Sequence, residues 1–336
     1  MGRFGTGALL LVGALVLCAC SRAGATKRSD GYETTELRYQ AYPTMAGFPE
    51  LAEDLGYLAP LKLKFLGTTI SGPQNIQAVA TGDIDFGGAF NGAVVKLIAA
   101  KAPIKAVIAY YGSNEDEFSG YYTLPDSPIK SARDLIGKKI SVNTLGAHAE
   151  FTIREYLSRG GLTADEAKQV TLVVLPPSNS EQALREKQVD VAAMQTILHE
   201  KSKERGPLRL LFSDHQLFGT FNAGSLVMGN RFLKENPNTA RKFVEATAKA
   251  IEWTRTAPPD EVRARIEKVV KKRNQADDIS WVKYWKSTTV ASKGGVLSDA
   301  DFQIWIDWLV KDGVLTKGQI QPASLYTNEY QGGPGK

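Results

Sequence analysis

The feature that most constrains this chain is an internal repeat. Gln77, Ala78, Val79, Ile84 and Asp85 are matched 105 residues later by Gln182, Ala183, Leu184, Val189 and Asp190. The same series of elements surrounds each set. Leu61–Leu66 alternates apolar and charged residues, which is the periodicity of a strand. A polar loop follows. Ser71 and Gln74 then have the spacing of a capping box, Pro73 suits a first helical turn, and Gly82 ends the helix before a strand at Ile84. The second copy has a strand at Val170–Leu175, a loop through Pro176–Asn179, a helix around Gln182–Leu184 and a strand from Val189. Upstream, a strand at Glu36–Gln40 and a helix at Phe48–Gly56 are echoed by Lys139–Asn143 and Phe151–Gly161.

Strands that alternate with helices imply parallel sheets, and two copies imply two α/β lobes. Ser119–Leu124 and Gly224–Met228 read as paired strands crossing between them. The expected lobes are therefore discontinuous: residues 36–122 with 225–336, and residues 123–224. The last third is helical. Asn236-Pro237 has the form of a helix start, and Ala240, Phe243, Val244, Ala248 and Ile251 fall on one face. Phe302, Trp305, Trp308 and Leu309 form a similar face, read as core packing.

Composition narrows the function. With 43% hydrophobic and 23% charged side chains, disorder, collagen and coiled coil are excluded. The net charge of +5 comes without a dense basic run, so no nucleic-acid partner is expected. Lys138-Lys139, Lys271-Lys272-Arg273 and Glu115-Asp116-Glu117 read as solvated charges. Two Cys and three His leave little for metal or thiol chemistry. No Walker loop, Gly-x-Ser-x-Gly elbow or His-Glu-x-x-His motif is present. The expectation is a protein without catalytic residues, metal or cofactor.

The N-terminus adds an address. Arg3 precedes an apolar run from Ala8 to Leu17, too short to span a bilayer but right for a secretory signal. Leu17-Cys18-Ala19-Cys20 has the form of a bacterial lipobox, with a small residue before Cys20. Residues 1–19 read as a lipoprotein signal peptide, Cys20 as the lipidated residue and residues 20–35 as a tether. The expected location is the periplasm or the outer face of a bacterial membrane.

Ser71-Gly72-Pro73-Gln74, Ala80–Gly87, Asp126–Ser131, Asp134–Val142 and Phe232–Pro237 together resemble the nitrate/sulfonate/taurine-type substrate-binding proteins of ABC importers. The likeness runs from about Glu36 to Arg255. It implies the type II periplasmic-binding-protein fold, two α/β lobes joined by two crossing strands. It also implies a small-molecule ligand taken between the lobes and delivered to a membrane permease with its ATPase. Many relatives carry Trp-Glu-Pro where this chain has Gln195-Thr196-Ile197, so no relative's substrate carries over.

Ligands of open α/β sheets sit beyond the carboxyl ends of the strands, where helix N-termini offer free N–H groups to anions. The loops there supply the candidates. Ser71 and Gly72 open one helix, though Ser71 could be only its cap. Phe90 and Asn91 follow a run of small residues and could equally be a buried aromatic and a turn. Thr144, Gly146, Ala147 and His148 open a helix in the second lobe, where His148 could be merely solvated. Gln195, Thr196 and Asn222 could donate side-chain hydrogen bonds, and Tyr42 is a weaker candidate. The expected ligand is a small organic anion, sulfonate-like, bound by a monomer. The alternatives are a neutral heterocycle such as a pyrimidine, on which Phe90, Tyr111 and Phe221 could stack, or an enzyme built on the same fold.

Overall fold

A computed structural model describes Gly2, residues 31–43 and residues 45–332. The signal peptide, Cys20 and most of the tether lie outside the described residues. The first lobe begins with β1 (Glu36–Ala41), α1 (Phe48–Asp54), β2 (Lys62–Thr68), α2 (Gly72–Thr81), β3 (Phe86–Phe90), α3 (Asn91–Ala99) and β4 (Ile104–Ser113). The second holds β5 (Ser119–Thr123), β6 (Lys139–Val142), α4 (His148–Arg159), α5 (Ala164–Lys168), β7 (Thr171–Val174), α6 (Ser180–Arg185), β8 (Val191–Gln195), α7 (Thr196–Ser202), β9 (Arg209–Ser213) and α8 (Asp214–Phe218). The chain returns to the first lobe with β10 (Phe221–Gly229), α9 (Asn230–Glu235), α10 (Pro237–Thr256), α11 (Pro259–Arg273) and α12 (Ala300–Lys311).

The repeat is visible as a shared sheet layout. The second lobe orders its strands β7-β6-β8-β5-β9. In the first, parallel β1–β2 and antiparallel β3-β10-β4 are joined between β1 and β3, giving β2-β1-β3-β10-β4. The join is made by a residue of the repeat. Asp85 accepts the Arg38 backbone N–H on Oδ2 at 2.7 Å and returns its own N–H to the Arg38 carbonyl at 2.9 Å. Asp190, its match, accepts the Lys139 N–H at 2.8 Å and donates to the Lys139 carbonyl at 2.8 Å. Each aspartate thus satisfies backbone groups at a strand junction, Asp85 where β3 meets β1 and Asp190 where β8 meets β6.

The crossing segments differ from expectation. Ser119–Thr123 and Phe221–Gly229 do not pair with each other: β5 lies between β8 and β9, and β10 between β3 and β4. A central strand has both edges hydrogen-bonded within its own lobe, so no edge remains for a partner across the cleft. Sheet membership changes at residues 114–118 and 214–220, a few residues before the positions anticipated. Asn236 also differs, since its side chain donates to Phe232 O rather than capping α10.

Packing follows strand alternation. Tyr121 and Val191 face one apolar cluster, with Ile140, Leu157 and Phe212, while their neighbours Tyr122 and Ala192 face another, with Leu184 and Met194. The first lobe has one larger core, into which α10 buries Phe243, Val244 and Ile251. Phe151 of α4 joins that core from the second lobe. Its ring lies 3.9 Å from the Trp308 ring and 5.7 Å from that of Trp305, centroid to centroid. Asn143 Nδ2 donates to Ile70 O at 2.9 Å, also across the lobes. The two lobes are closed on each other.

Candidate functional site

The cleft encloses a cavity of about 130 Å³ with walls from both lobes. The first lobe supplies Tyr42, Gly72, Phe90, Tyr110 and Tyr111; the second supplies Asn143, His148, Ser180, Met194 and Gln195. A neighbouring cavity of about 170 Å³ continues toward the 114–118 crossing. Among the described residues, no Lys or Arg lines either one. Among the described residues, the hydroxyls of Tyr42, Tyr110 and Tyr111 make no hydrogen bond to protein, which leaves them open to a ligand.

Glycines seat the two central tyrosines. A Cβ on Gly88 would sit 2.7 Å from the Tyr110 ring, and one on Gly224 would sit 2.0 Å from the Tyr111 ring. The small residues before Phe90 therefore make room for a side chain of the wall. Asn75 steadies the same strand by accepting the Gly88 N–H on Oδ1 at 2.7 Å.

The sequence candidates separate into two groups. Gly72, Phe90, Ala147, His148 and Gln195 line the cleft cavity, and Gln195 with Thr196 lines its neighbour. Phe90 stacks on His148, ring centroids 5.2 Å apart with planes 10° from parallel. Ser71 and Thr144 meet across the lobes, Oγ to Oγ1 at 3.4 Å, and Ser71 also caps α2 through the Gln74 N–H. The others have structural partners. Asn91 donates to Asn222 O and Asp301 O and accepts from Ser225 Oγ at 2.6 Å. Asn222 donates to Ser292 Oγ and accepts the Ala291 N–H. Thr196 exchanges hydrogen bonds with the Phe118 backbone. Gly146 lines neither cavity. Its φ of +70° is a conformation that favours glycine, and its N–H donates to Glu150 Oε2 at 2.8 Å. That carboxylate stands in the first turn of α4, where an anionic ligand was expected.

Three buried charged groups escaped the sequence reading. Arg273, read as solvated, has a side chain only 1% exposed. It bonds the carbonyls of Tyr42 and Met45 and pairs with Glu50 at 3.2 Å, fixing the loop that carries Tyr42. Glu117, read as part of a solvated cluster, is 6% exposed and lines the second cavity. Asp214 is fully buried at the second crossing. Its Oδ1 accepts from Ser113 Oγ at 2.8 Å, from the Ser119 N–H at 3.0 Å and from the His215 N–H at 2.7 Å, tying the end of β4 to the start of β5. Burial pushes the Asp214 carboxyl up to about 7 and holds His148 down at about 4. None of the three carries a local sequence signal of burial, because burial of a charge is decided by distant packing.

The family described as NMT1/THI5 like matches residues 51–261. The chain belongs to this family. A Brucella abortus (strain 2308) chain named as a binding protein is 27% identical over 270 residues, covering 77% of this chain and 79% of that one. The alkanesulfonate-binding protein SsuA from Xanthomonas axonopodis pv. citri, bound to MOPS, superposes with a TM-score of 0.67 at 19% identity, covering 88% of this chain and 98% of that one. The periplasmic nitrate-binding protein NrtA from Synechocystis PCC 6803 gives 0.69 at 13% identity, with 89% and 88% covered. The desulfurization enzyme DszB gives 0.59 at 16% identity, with 88% and 97% covered. At such identities the likeness carries the fold, a two-lobed α/β architecture shared by binding proteins and an enzyme. Among the described residues, no helix is long and apolar enough to cross a membrane, and no cluster of His, Cys, Asp and Glu is placed to hold a metal.

Proposed function

We propose that this chain is the extracytoplasmic solute-binding component of an ABC importer. It captures a small molecule between its lobes and delivers it to a membrane permease driven by an ATPase. It works as a monomer, tethered by a lipid on Cys20. The observation that carries this reading is the closed cleft, walled from both lobes and lined by tyrosine hydroxyls that no protein group uses. A binding protein needs such a chamber, open to solvent only when the lobes part. The names of the sulfonate- and nitrate-binding structures with the same fold agree with it.

The enzyme alternative has less support. Among the described residues no cysteine lines the cavities, and no hydroxyl is hydrogen-bonded to the His148 imidazole Nε2 for activation. The anionic ligand expected from sequence also loses support. Glu150 takes the Gly146 N–H at the start of α4, and among the described residues no Lys or Arg lines the cleft. The aromatic walls favour a solute with a flat or apolar body. Thermal-shift screening of pyrimidines, aromatic carboxylates, sulfonates, nitrate and organic ammonium salts, followed by small-angle scattering, tests the reading. A solute that raises the melting temperature and compacts the particle is expected. If no solute of any class does either, solute capture is wrong.

A further inference from the structure

The two cavities share Tyr42, Met45, Tyr110, Tyr111, Ser119 and Gln195, so the cleft continues into a compartment beside the 114–118 crossing. Its walls are strongly aromatic, with Trp281, Trp285, Tyr39, Phe48, Phe86 and Phe118 among them. Among the described residues, no Lys, Arg or His lines it, and the two carboxylates that do differ. Glu50 is fully engaged: it pairs with Arg273 at 3.2 Å, accepts the Tyr39 hydroxyl at 2.7 Å and takes the Gly47 N–H at 2.7 Å.

Glu117 has no such complement. Its Oε1 accepts the Lys286 backbone N–H at 3.3 Å. Among the described residues no cationic side chain lies within ion-pair distance of it. The ammonium of Lys286 is turned instead to Glu200, at 3.5 Å. Burial pushes the Glu117 carboxyl up to about 7, opposed by the backbone N–H groups of Lys286 and Ser287 and by the Lys286 charge, with Asp116 adding to the rise. The Ser287 hydroxyl, which also lines the compartment, is buried without a partner.

A buried carboxylate without a counter-ion is costly, and a ligand that brings the missing positive charge recovers that cost. Faces of Trp and Tyr attract cations and pack well against alkyl groups on nitrogen. We infer that the compartment beside the 114–118 crossing recognises an organic ammonium ion, with Glu117 pairing its charge and the aromatic walls enclosing its substituents. The inference rests on the solute-capture reading and names the chemistry of the solute. Glu117 would then set specificity, selecting against the anions that the sequence suggested.

The test compares choline and phenyltrimethylammonium with neohexyl alcohol, the uncharged carbon isostere of choline, and with benzenesulfonate, by calorimetry on the purified protein. The cations are expected to bind about tenfold or more tightly than the isostere. Glu117→Gln should cut that advantage severalfold, leaving only what the aromatic faces supply, with isostere binding little changed. On wild-type protein the affinity for the cations should fall as pH drops from about 8 to about 6, while that for the isostere stays level. The pH series decides the matter if the variant does not fold. Equal binding of cation and isostere, tighter binding of benzenesulfonate, no cation binding, or cation affinity unchanged in Glu117→Gln would each overturn the inference. Compaction by an uncharged or anionic solute would overturn it while leaving solute capture intact.

Discussion

His148 Nε2 lies 3.3 Å from Asp214 Oδ2, and both atoms are buried with no other partner. His148 comes from the cleft end of α4, where it stacks on Phe90, and Asp214 from the second crossing. The contact therefore joins the cleft cavity to the second crossing between the lobes. Burial favours the uncharged form of each group, so the imidazole is neutral above about pH 4 and the carboxyl is protonated below about pH 7.

A pH prediction follows from the opposite signs. Asp214 has a raised folded-state value, from 3.8 to about 7, so its contribution is full below 3.8 and is lost as pH rises to 7. His148 has a lowered value, from 6.5 to about 4, so its contribution is full above 6.5 and is lost as pH falls to 4. Between about pH 4 and 6.5 the two nearly cancel. His148→Gln leaves the Asp214 dependence alone, and its stability relative to wild type should fall as pH rises through that window. Asp214→Asn should show the reverse. Urea unfolding at a series of pH values measures both slopes; parallel curves for wild type and variants would contradict this account.

Arg273→Met should destabilise the protein strongly. It leaves the buried Glu50 carboxylate without its counter-charge, a loss of about 3–5 kcal/mol for a broken buried pair. It also releases the Tyr42 and Met45 carbonyls. Adding Glu50→Gln should recover part of the loss, since the second change removes the stranded charge. Chemical denaturation of the two single variants and the double variant gives the coupling directly.

Glycines at the site should respond in different ways. Gly224→Ala places a methyl 2.0 Å from the Tyr111 ring and 2.7 Å from the Ala89 carbonyl, so Tyr111 must move. A cost of about 1–3 kcal/mol and altered ligand binding are expected. Gly146→Ala meets nothing within 4 Å but must hold a φ of +70°. It should cost about 1 kcal/mol and leave affinity unchanged. Thermal melts paired with binding isotherms distinguish steric intrusion into the wall from backbone strain outside it.

Lipidation at Cys20 has its own test. Cys20→Ala expressed in a bacterial host should lose membrane association and migrate without acyl modification. Detergent phase partitioning and intact mass read the difference. Identical behaviour of the two proteins would remove the tether from the proposal.

Short-range signals were enough for the order of elements. Strand alternation at Leu61–Leu66, the Ser71 cap and the stop at Gly82 are local, and so is the repeat that pairs Asp85 with Asp190. Backbone propensity and hydrophobic period act over a few residues, so they can be read along the chain. Tertiary structure decided which groups were buried, because burial depends on elements brought together from far apart. Arg273 looked like the end of a basic run until α11 set it against Glu50 of α1. Glu117 looked like one of three solvated acids until the crossing placed it beside Trp285 and Ser287. Asn91 and Asn222 looked free for a ligand, yet their hydrogen bonds are taken by Ser225 and Ser292. The sequence by itself determined two lobes, their internal order and the family. The charge and lining of the cleft were decided by which side chains the fold brought to it and left without partners.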